Sequence, residues 1–258
     1  MLEKFTVNMS SFDQVRMIRV YLPKSYQESN KRYPVLYMHD GQNVFEDEGA
    51  IKGVSLGLKN YLDQSNLDLI VVAIDLNTED EERINEYCPW KNGAIAAKVI
   101  GHPIQLGGKG ELYLDFIVKE LKPLIDEKYR TLKDHSSMAG ISLGGLISTY
   151  AAGRYPQIFK RIAAISPGYY RNQEELELFV KNADFSGVER FYVDFGTHEV
   201  SDDQELNNQL TQMIQSIYEI VSSKIADTRY ETIQNGEHNY ISFKKRIGEV
   251  ISYLYSDL

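Results

Sequence analysis

Two pentapeptides, Gly53-Val54-Ser55-Leu56-Gly57 and Gly140-Ile141-Ser142-Leu143-Gly144, carry the G-x-S-x-G spacing that lifts a serine hydroxyl out of a sharp strand-to-helix turn. The glycines of such a turn are steric necessities, because a side chain at either would strike the neighbouring strand or helix. At average Gly and Ser usage the pattern arises by chance about 0.1 times in a chain of this length, so the flanking sequence must decide between the copies. Acidic Glu46 to Lys52 precedes Ser55; it supplies no buried strand to enter the turn and predicts that Ser55 caps a helix. Small residues Ser136-Ser137-Met138-Ala139 precede Ser142, as a crowded central strand would require, which makes Ser142 the candidate nucleophile.

A serine hydroxyl needs a base within hydrogen-bond reach and a carboxylate that fixes the base's tautomer. Folds built around this turn order the partners serine, acid, histidine, which leaves His198 and His238 of the five histidines. His238 is preferred, since it lies in the turn-like Asn235-Gly236-Glu237-His238-Asn239 between the last predicted strand and the last helix. The acid is sought in Gly196 to Asp203: Glu199 is the first choice, Asp202 the fallback, Asp203 a cap for the following helix, and Asp194 lies within the strand. Donors for a developing oxyanion are expected from the Leu143 amide and from that of Gln42 or Gly41 in His39-Asp40-Gly41-Gln42-Asn43, where Gly41 lets the backbone approach a ligand.

The elements that must position these residues read as alternating strands and helices. Glu3 to Met9 and Val15 to Leu22 form an antiparallel hairpin at a sheet edge. Val35 to Met38 and Leu67 to Ile74 are apolar, β-branched runs suited to strands buried on both faces. Glu111 to Tyr129 keeps a helical beat that Pro123 must bend or split. Then come a minimal strand at Met138-Ala139, a helix over Leu146 to Arg154, a strand over Ile162 to Ile165 and a helix over Glu174 to Lys181. Phe191 to Phe195 is a strand, about Asp203 to Val221 a helix, about Thr228 to Ile233 a strand, and a helix closes the chain after His238. Repeated βα units imply a mostly parallel central sheet with helices on both faces, in one α/β domain over residues 1–258. Residues 77–110 show no clear element and hold the lone Trp and Cys; the stretch is read as a partial lid or as an ordered insertion that only packs.

Composition narrows the function classes. The chain has 258 residues, 43% hydrophobic and 25% charged, and a net charge of −9, which on average repels phosphate backbones and anionic membranes. Nucleic-acid and membrane partners are not expected. One cysteine closes no intrachain disulfide and makes no zinc knuckle, and no His/Cys cluster has ligand spacing, so neither a metal nor another cofactor is expected. The amino terminus lacks a basic stretch followed by a long apolar run, and a cytoplasmic protein, monomer or homodimer, is expected.

Met38-His39-Asp40-Gly41-Gln42-Asn43, Gly107-Gly108-Lys109-Gly110, Ala139 to Gly145 and Gly236-Glu237-His238-Asn239 together resemble the putative esterase family of the α/β-hydrolases. This esterase D-like group includes feruloyl, other carbohydrate and siderophore esterases and mycolyltransferases. The resemblance implies an α/β-hydrolase fold with Ser142 as nucleophile, His238 as base, Glu199 as acid and Leu143 as an oxyanion donor. It also implies that Glu86-Tyr87 and Pro89-Trp90 form a loop motif near the pocket. The chain departs from the family pattern at Tyr240 and Phe243 after the histidine, and at Gly168-Tyr169-Tyr170 after Ser166-Pro167. Tyr87, Trp90, Tyr169 and Tyr240 are the expected aromatic lining. The activity implied is a serine esterase acting on small or aromatic acyl esters, feruloyl or acyl-sugar esters among them. An acyltransferase using the same residues and an inactive binding protein on the same scaffold are the alternatives.

Overall fold

The computed structural model describes residues 1–79, 81–200 and 202–257. Its elements in chain order are β1 (Leu2–Met9), β2 (Gln14–Tyr21), β3 (Tyr33–Met38), α1 (Leu58–Ser65), β4 (Ile70–Ile74), α2 (Glu82–Tyr87), α3 (Ala94–Ile100), α4 (Gly110–Phe116) and α5 (Lys122–Lys128). They continue as β5 (Thr131–Ile141), α6 (Leu143–Arg154), β6 (Phe159–Ile165), α7 (Gln173–Asn182), β7 (Arg190–His198), α8 (Gln204–Ser222), β8 (Asp227–Glu237) and α9 (Tyr240–Leu254). The strands form one sheet in the order β1-β2-β4-β3-β5-β6-β7-β8. The predicted hairpin supplies its antiparallel edge, β1 on β2 and β2 on β4, and every other pairing is parallel.

Alternation along the strands splits the core into two layers, because successive side chains point to opposite faces of a sheet. Val35 and Tyr37 of β3 face a layer with α4 to α8, whereas Leu36 and Met38 face a layer built by α1 and α9. Helices on both faces explain why β3 and β4 read as unbroken apolar runs: every residue in both is buried.

The structure adds α1, and α2 and α3 within the stretch 77–110 that shows no clear element by sequence, and two further elements differ from the sequence reading. β5 runs eleven residues, not two, because its first half crosses solvent with exposed Lys133, Asp134 and His135 before entering the core. The helix with Pro123 is not split: a π-helical turn over Ile117–Leu121 joins α4 to α5, one residue before the proline. Such a turn absorbs the missing N–H and the ring's clash within a continuous helix.

Candidate active site

Ser142 lies between the end of β5 and the start of α6 with φ 58° and ψ −120°. This is a costly conformation for a residue with a Cβ, and it persists only where the surroundings over-determine it. They do so here. A Cβ on Gly140 would come within 2.4 Å of the carbonyl carbon and oxygen of Gly144, so no other residue lets the chain turn this tightly. The Ser142 N–H donates to the Ile165 carbonyl on β6 at 3.0 Å, and its carbonyl accepts from Gly168 at 2.9 Å. Leu143 opens α6, so its amide has no intrahelical acceptor and is free to meet an anion.

The competing serine is an ordinary turn residue. Ser55 is buried, donates to Asp47 at 2.7 Å and accepts from the Gly57 N–H at 3.1 Å. It is not the cap expected from its sequence, since Gly57 occupies the N-cap of α1.

The sheet brings acid and base together beyond the end of β7. His238 Nδ1 lies 2.5 Å from Glu199 Oε2, and Glu199 Oε1 accepts from Ser166 Oγ at 2.5 Å and from the Gly196 N–H at 2.9 Å. The Glu199 side chain is 2% exposed and that of His238 41%. Burial alone would raise the Glu199 carboxyl, but the bonds from His238, Ser166 and Gly196 outweigh it and hold the group below its ordinary range. Close approach of β7 and β8 makes this possible: a Cβ on Gly196 would stand 2.2 Å from the Gly236 carbonyl oxygen. Of the other acids considered, Asp202 is exposed and Asp203 caps α8 by accepting from the Leu206 N–H at 2.8 Å. Asp194 is buried and ion-paired to Arg246 at 2.8 Å.

Ser142 and His238 stand at the junction of two cavities and line both. No hydrogen bond joins the Ser142 hydroxyl to His238 among the described residues; such contacts are often long in unliganded sites and tighten when substrate binds. The smaller cavity, about 200 Å³, is walled mainly by apolar groups including Phe195, Leu210, Met213 and Ile214. The larger, about 470 Å³, joins the Arg83–Asp40 ion pair, Asn43 and Asn239 to apolar Val54, Leu76, Ile141 and Phe243, with Tyr240 also on its wall. Ile51 and Ile241, both on its wall, are exposed. A more open groove of about 770 Å³ between α1 and α9 lies away from Ser142.

Three of the four expected lining aromatics are elsewhere. Tyr87 is fully buried, stacked with His39 and Tyr113, and its hydroxyl accepts from the Asp40 N–H at 3.3 Å. Tyr169 is buried with its hydroxyl on Thr149 at 2.7 Å, and Trp90 packs edge-on against Tyr150. Tyr170 and Tyr240 do reach the cavities. The motif around Glu86 is likewise interior: Glu86 is buried against Arg16 at 2.7 Å. Of residues 77–110, Arg83 reaches the cavity wall, while α2 and α3 tie much of the rest to the body. Gly41 does not open the backbone to a ligand, since its bare face packs on Asp75, where a Cβ would come within 2.6 Å of Oδ1. Gln42 is buried, its side chain accepting from the Leu76 N–H at 3.0 Å. Neither appears in the cavity walls, although the adjoining Asp40 and Asn43 do.

A serine on a strained strand-to-helix turn, a histidine–carboxylate pair beyond the next strands and this sheet order are those of an α/β-hydrolase fold. The chain belongs to the Putative esterase family, whose model matches residues 9–252. Among its relatives, the uncharacterized protein YbbA of Bacillus subtilis is 27% identical over 246 residues, 93% of this chain and 92% of that one. An endo-1,4-beta-xylanase/feruloyl esterase of Xylanibacter ruminicola is 24% identical over 180 residues, 67% of this chain but 22% of that much longer one. The fold is shared with an IroE-like serine hydrolase from Shewanella oneidensis, at a TM-score of 0.78 and 19% identity over 99% of this chain and 79% of that one.

Proposed function

We propose that the protein is a cofactor-independent serine carboxylesterase working through a Ser142–His238–Glu199 triad and an acyl-enzyme. Ser142 Oγ attacks the ester carbonyl while His238 Nε2 takes its proton, and Glu199 holds the opposite ring nitrogen protonated and steadies the imidazolium. The oxyanion is met by the Leu143 amide at the start of α6. His238 returns the proton to the departing alkoxide, and water attacks the acyl-enzyme in the second half-reaction. One observation carries this reading: a buried carboxylate 2.5 Å from His238 Nδ1, lining one cavity with a serine held at φ 58°.

The two cavities support separate acyl and alcohol sites on either side of Ser142 and His238. Apolar cavities of about 150 Å³ hold a benzene ring, so the smaller cavity suits a short or single-ring acyl group. The larger one combines apolar Val54, Leu76, Ile141 and Phe243 with the Arg83–Asp40 pair and the amides of Asn43 and Asn239, an amphipathic wall that suits a sugar, whose ring presents both C–H faces and hydroxyls. The feruloyl esterase among the relatives is consistent with an aromatic acyl group. An ester panel tests this: acetyl and cinnamoyl esters of methanol and of a sugar, compared by kcat/KM. The proposal expects both acyl groups to be turned over, with the sugar esters preferred; preference for long-chain lipid esters, or no hydrolysis of any ester, overturns it.

A further inference from the structure

Arg246 stands in Lys244-Lys245-Arg246, which reads as a surface patch, yet its side chain is only 5% exposed and points into the end of the sheet. Its Nε donates to Asp194 Oδ2 at 2.8 Å and its Nη2 to Asp194 Oδ1 at 3.2 Å. Nη2 also donates to Ser166 Oγ at 2.7 Å, and that hydroxyl in turn donates to Glu199 Oε1 at 2.5 Å. The third nitrogen, Nη1, donates to Ser242 Oγ at 3.2 Å, and Ser242 Oγ also accepts from the Glu237 N–H, one residue before His238, at 3.2 Å.

The polarity of this relay is fixed. A guanidinium only donates and an ionised carboxylate only accepts, so the Ser166 hydroxyl must receive from Arg246 and give to Glu199. Ser166 is itself held at φ 43°, like Ser142 and Asp40 a non-glycine residue with positive φ at the site, and its N–H donates to Asp194 Oδ1 at 3.0 Å. Backbone strain of this kind persists where several contacts over-determine the residue. A purely structural Arg–Asp pair would not require the hydroxyl of a strained serine, nor a second arm to the turn carrying the base.

We propose that Arg246 is a positioning residue for both halves of the acid–base pair: through Ser166, and by its own charge with Nη2 3.7 Å from Oε1, it sets the Glu199 carboxylate, and through Ser242 it braces the turn that presents His238. The proposal rests on the triad reading given above. Asp194 keeps the guanidinium in place, and the pair survives when either hydroxyl is removed, so each arm can be cut without leaving a buried charge unpaired.

The test is steady-state kinetics on Ser166→Ala, Ser242→Ala and Arg246→Lys, with Ser166→Ala repeated in a Glu199→Gln background. A hydrogen bond to a charged group supports a loss of about 10- to 100-fold in kcat for Ser166→Ala, with KM held within about twofold. In the Glu199→Gln background the same change should add less than about threefold, because Ser166 acts through that carboxylate. Ser242→Ala should lower kcat several-fold, again with little change in KM. Arg246→Lys, which keeps the charge but cannot reach both hydroxyls, should lose at least tenfold. Ser166→Ala within twofold of wild type, or a full loss retained when Glu199 is already Gln, overturns the proposal. If Glu199→Gln alone leaves kcat unchanged, the triad reading has failed first, and the two failures are told apart.

Discussion

Replacing Glu199 by Gln changes one buried oxygen into an NH2 group, and the structure dictates where that group goes. The Oε1 site faces two donors, Ser166 Oγ and the Gly196 N–H, whereas the Oε2 site faces only His238 Nδ1. Placing the amide nitrogen at Oε1 sets donor against donor at 2.9 Å from the Gly196 nitrogen, and an unsatisfied buried N–H costs about 1–3 kcal/mol. The nitrogen therefore turns to His238, forces Nδ1 to accept and places the ring proton on Nε2. An imidazole protonated at Nε2 cannot take the proton of Ser142. The carboxylate-to-amide change in a serine protease triad lowers kcat by about 10⁴ through this tautomer switch. We expect a fall of about 10³ to 10⁴ at neutral pH, or about 4–5.5 kcal/mol of transition-state stabilisation at 1.36 kcal/mol per tenfold. KM should stay within about threefold, because the Glu199 side chain is only 2% exposed where it borders the smaller cavity. Initial rates on p-nitrophenyl acetate, with circular dichroism to confirm folding, decide the matter. A folded variant retaining kcat within tenfold of wild type refutes the role given to Glu199.

Other expectations follow from burial and sterics. Gly140→Ala places a methyl within 2.4 Å of the Gly144 backbone; at about 3 kcal/mol for overpacking and 2–4 °C per kcal/mol, the Tm should fall by about 6–12 °C, read by thermal circular dichroism. Burial pushes the Cys88 thiol up to about 12, which leaves a thiolate fraction of about 10⁻⁴ at pH 8. The native protein should thus ignore Ellman's reagent until guanidinium unfolds it and one thiol per chain appears. Burial pushes His39 down to about 4. The unfolded chain then binds the extra proton between pH 6.5 and 4, so the stability tied to this group is complete above pH 6.5 and is lost as pH falls through 4. Denaturant titrations should show about 3 kcal/mol of pH-dependent stability over that window, removed in His39→Asn; an unchanged slope in the variant would count against the assignment.

Sequence patterns revealed what backbone sterics and periodicity control. Gly140 marked the Ser142 turn because only glycine tolerates its approach to the Gly144 backbone, and apolar runs and helical periodicity located the strands and most of the helices. The beginning of β5 was hidden because an extended segment crossing solvent carries Lys133, Asp134 and His135, polar residues that resemble a loop. Tyr87 and Tyr169 looked like pocket residues because tyrosines in connecting segments have a polar tip; here those tips bond inside the protein, to the Asp40 N–H and to Thr149. Arg246 was concealed by two neighbouring lysines. A signal was nonetheless present: it lies three residues after Phe243 and four before Val250, on the buried stripe of α9. Its partner Ser166 offered no comparable signal, since a serine after a strand is ordinary and its left-handed backbone emerges only in three dimensions.

Mass spectrometry of the protein after reaction with a fluorophosphonate addresses the central claim most directly, because a phosphonyl ester forms only on a hydroxyl that a neighbouring base has activated. The account predicts one adduct per chain, mapped to the peptide containing Ser142, abolished in Ser142→Ala and retained in Ser55→Ala. An unmodified wild-type protein, or an adduct that survives Ser142→Ala, contradicts it.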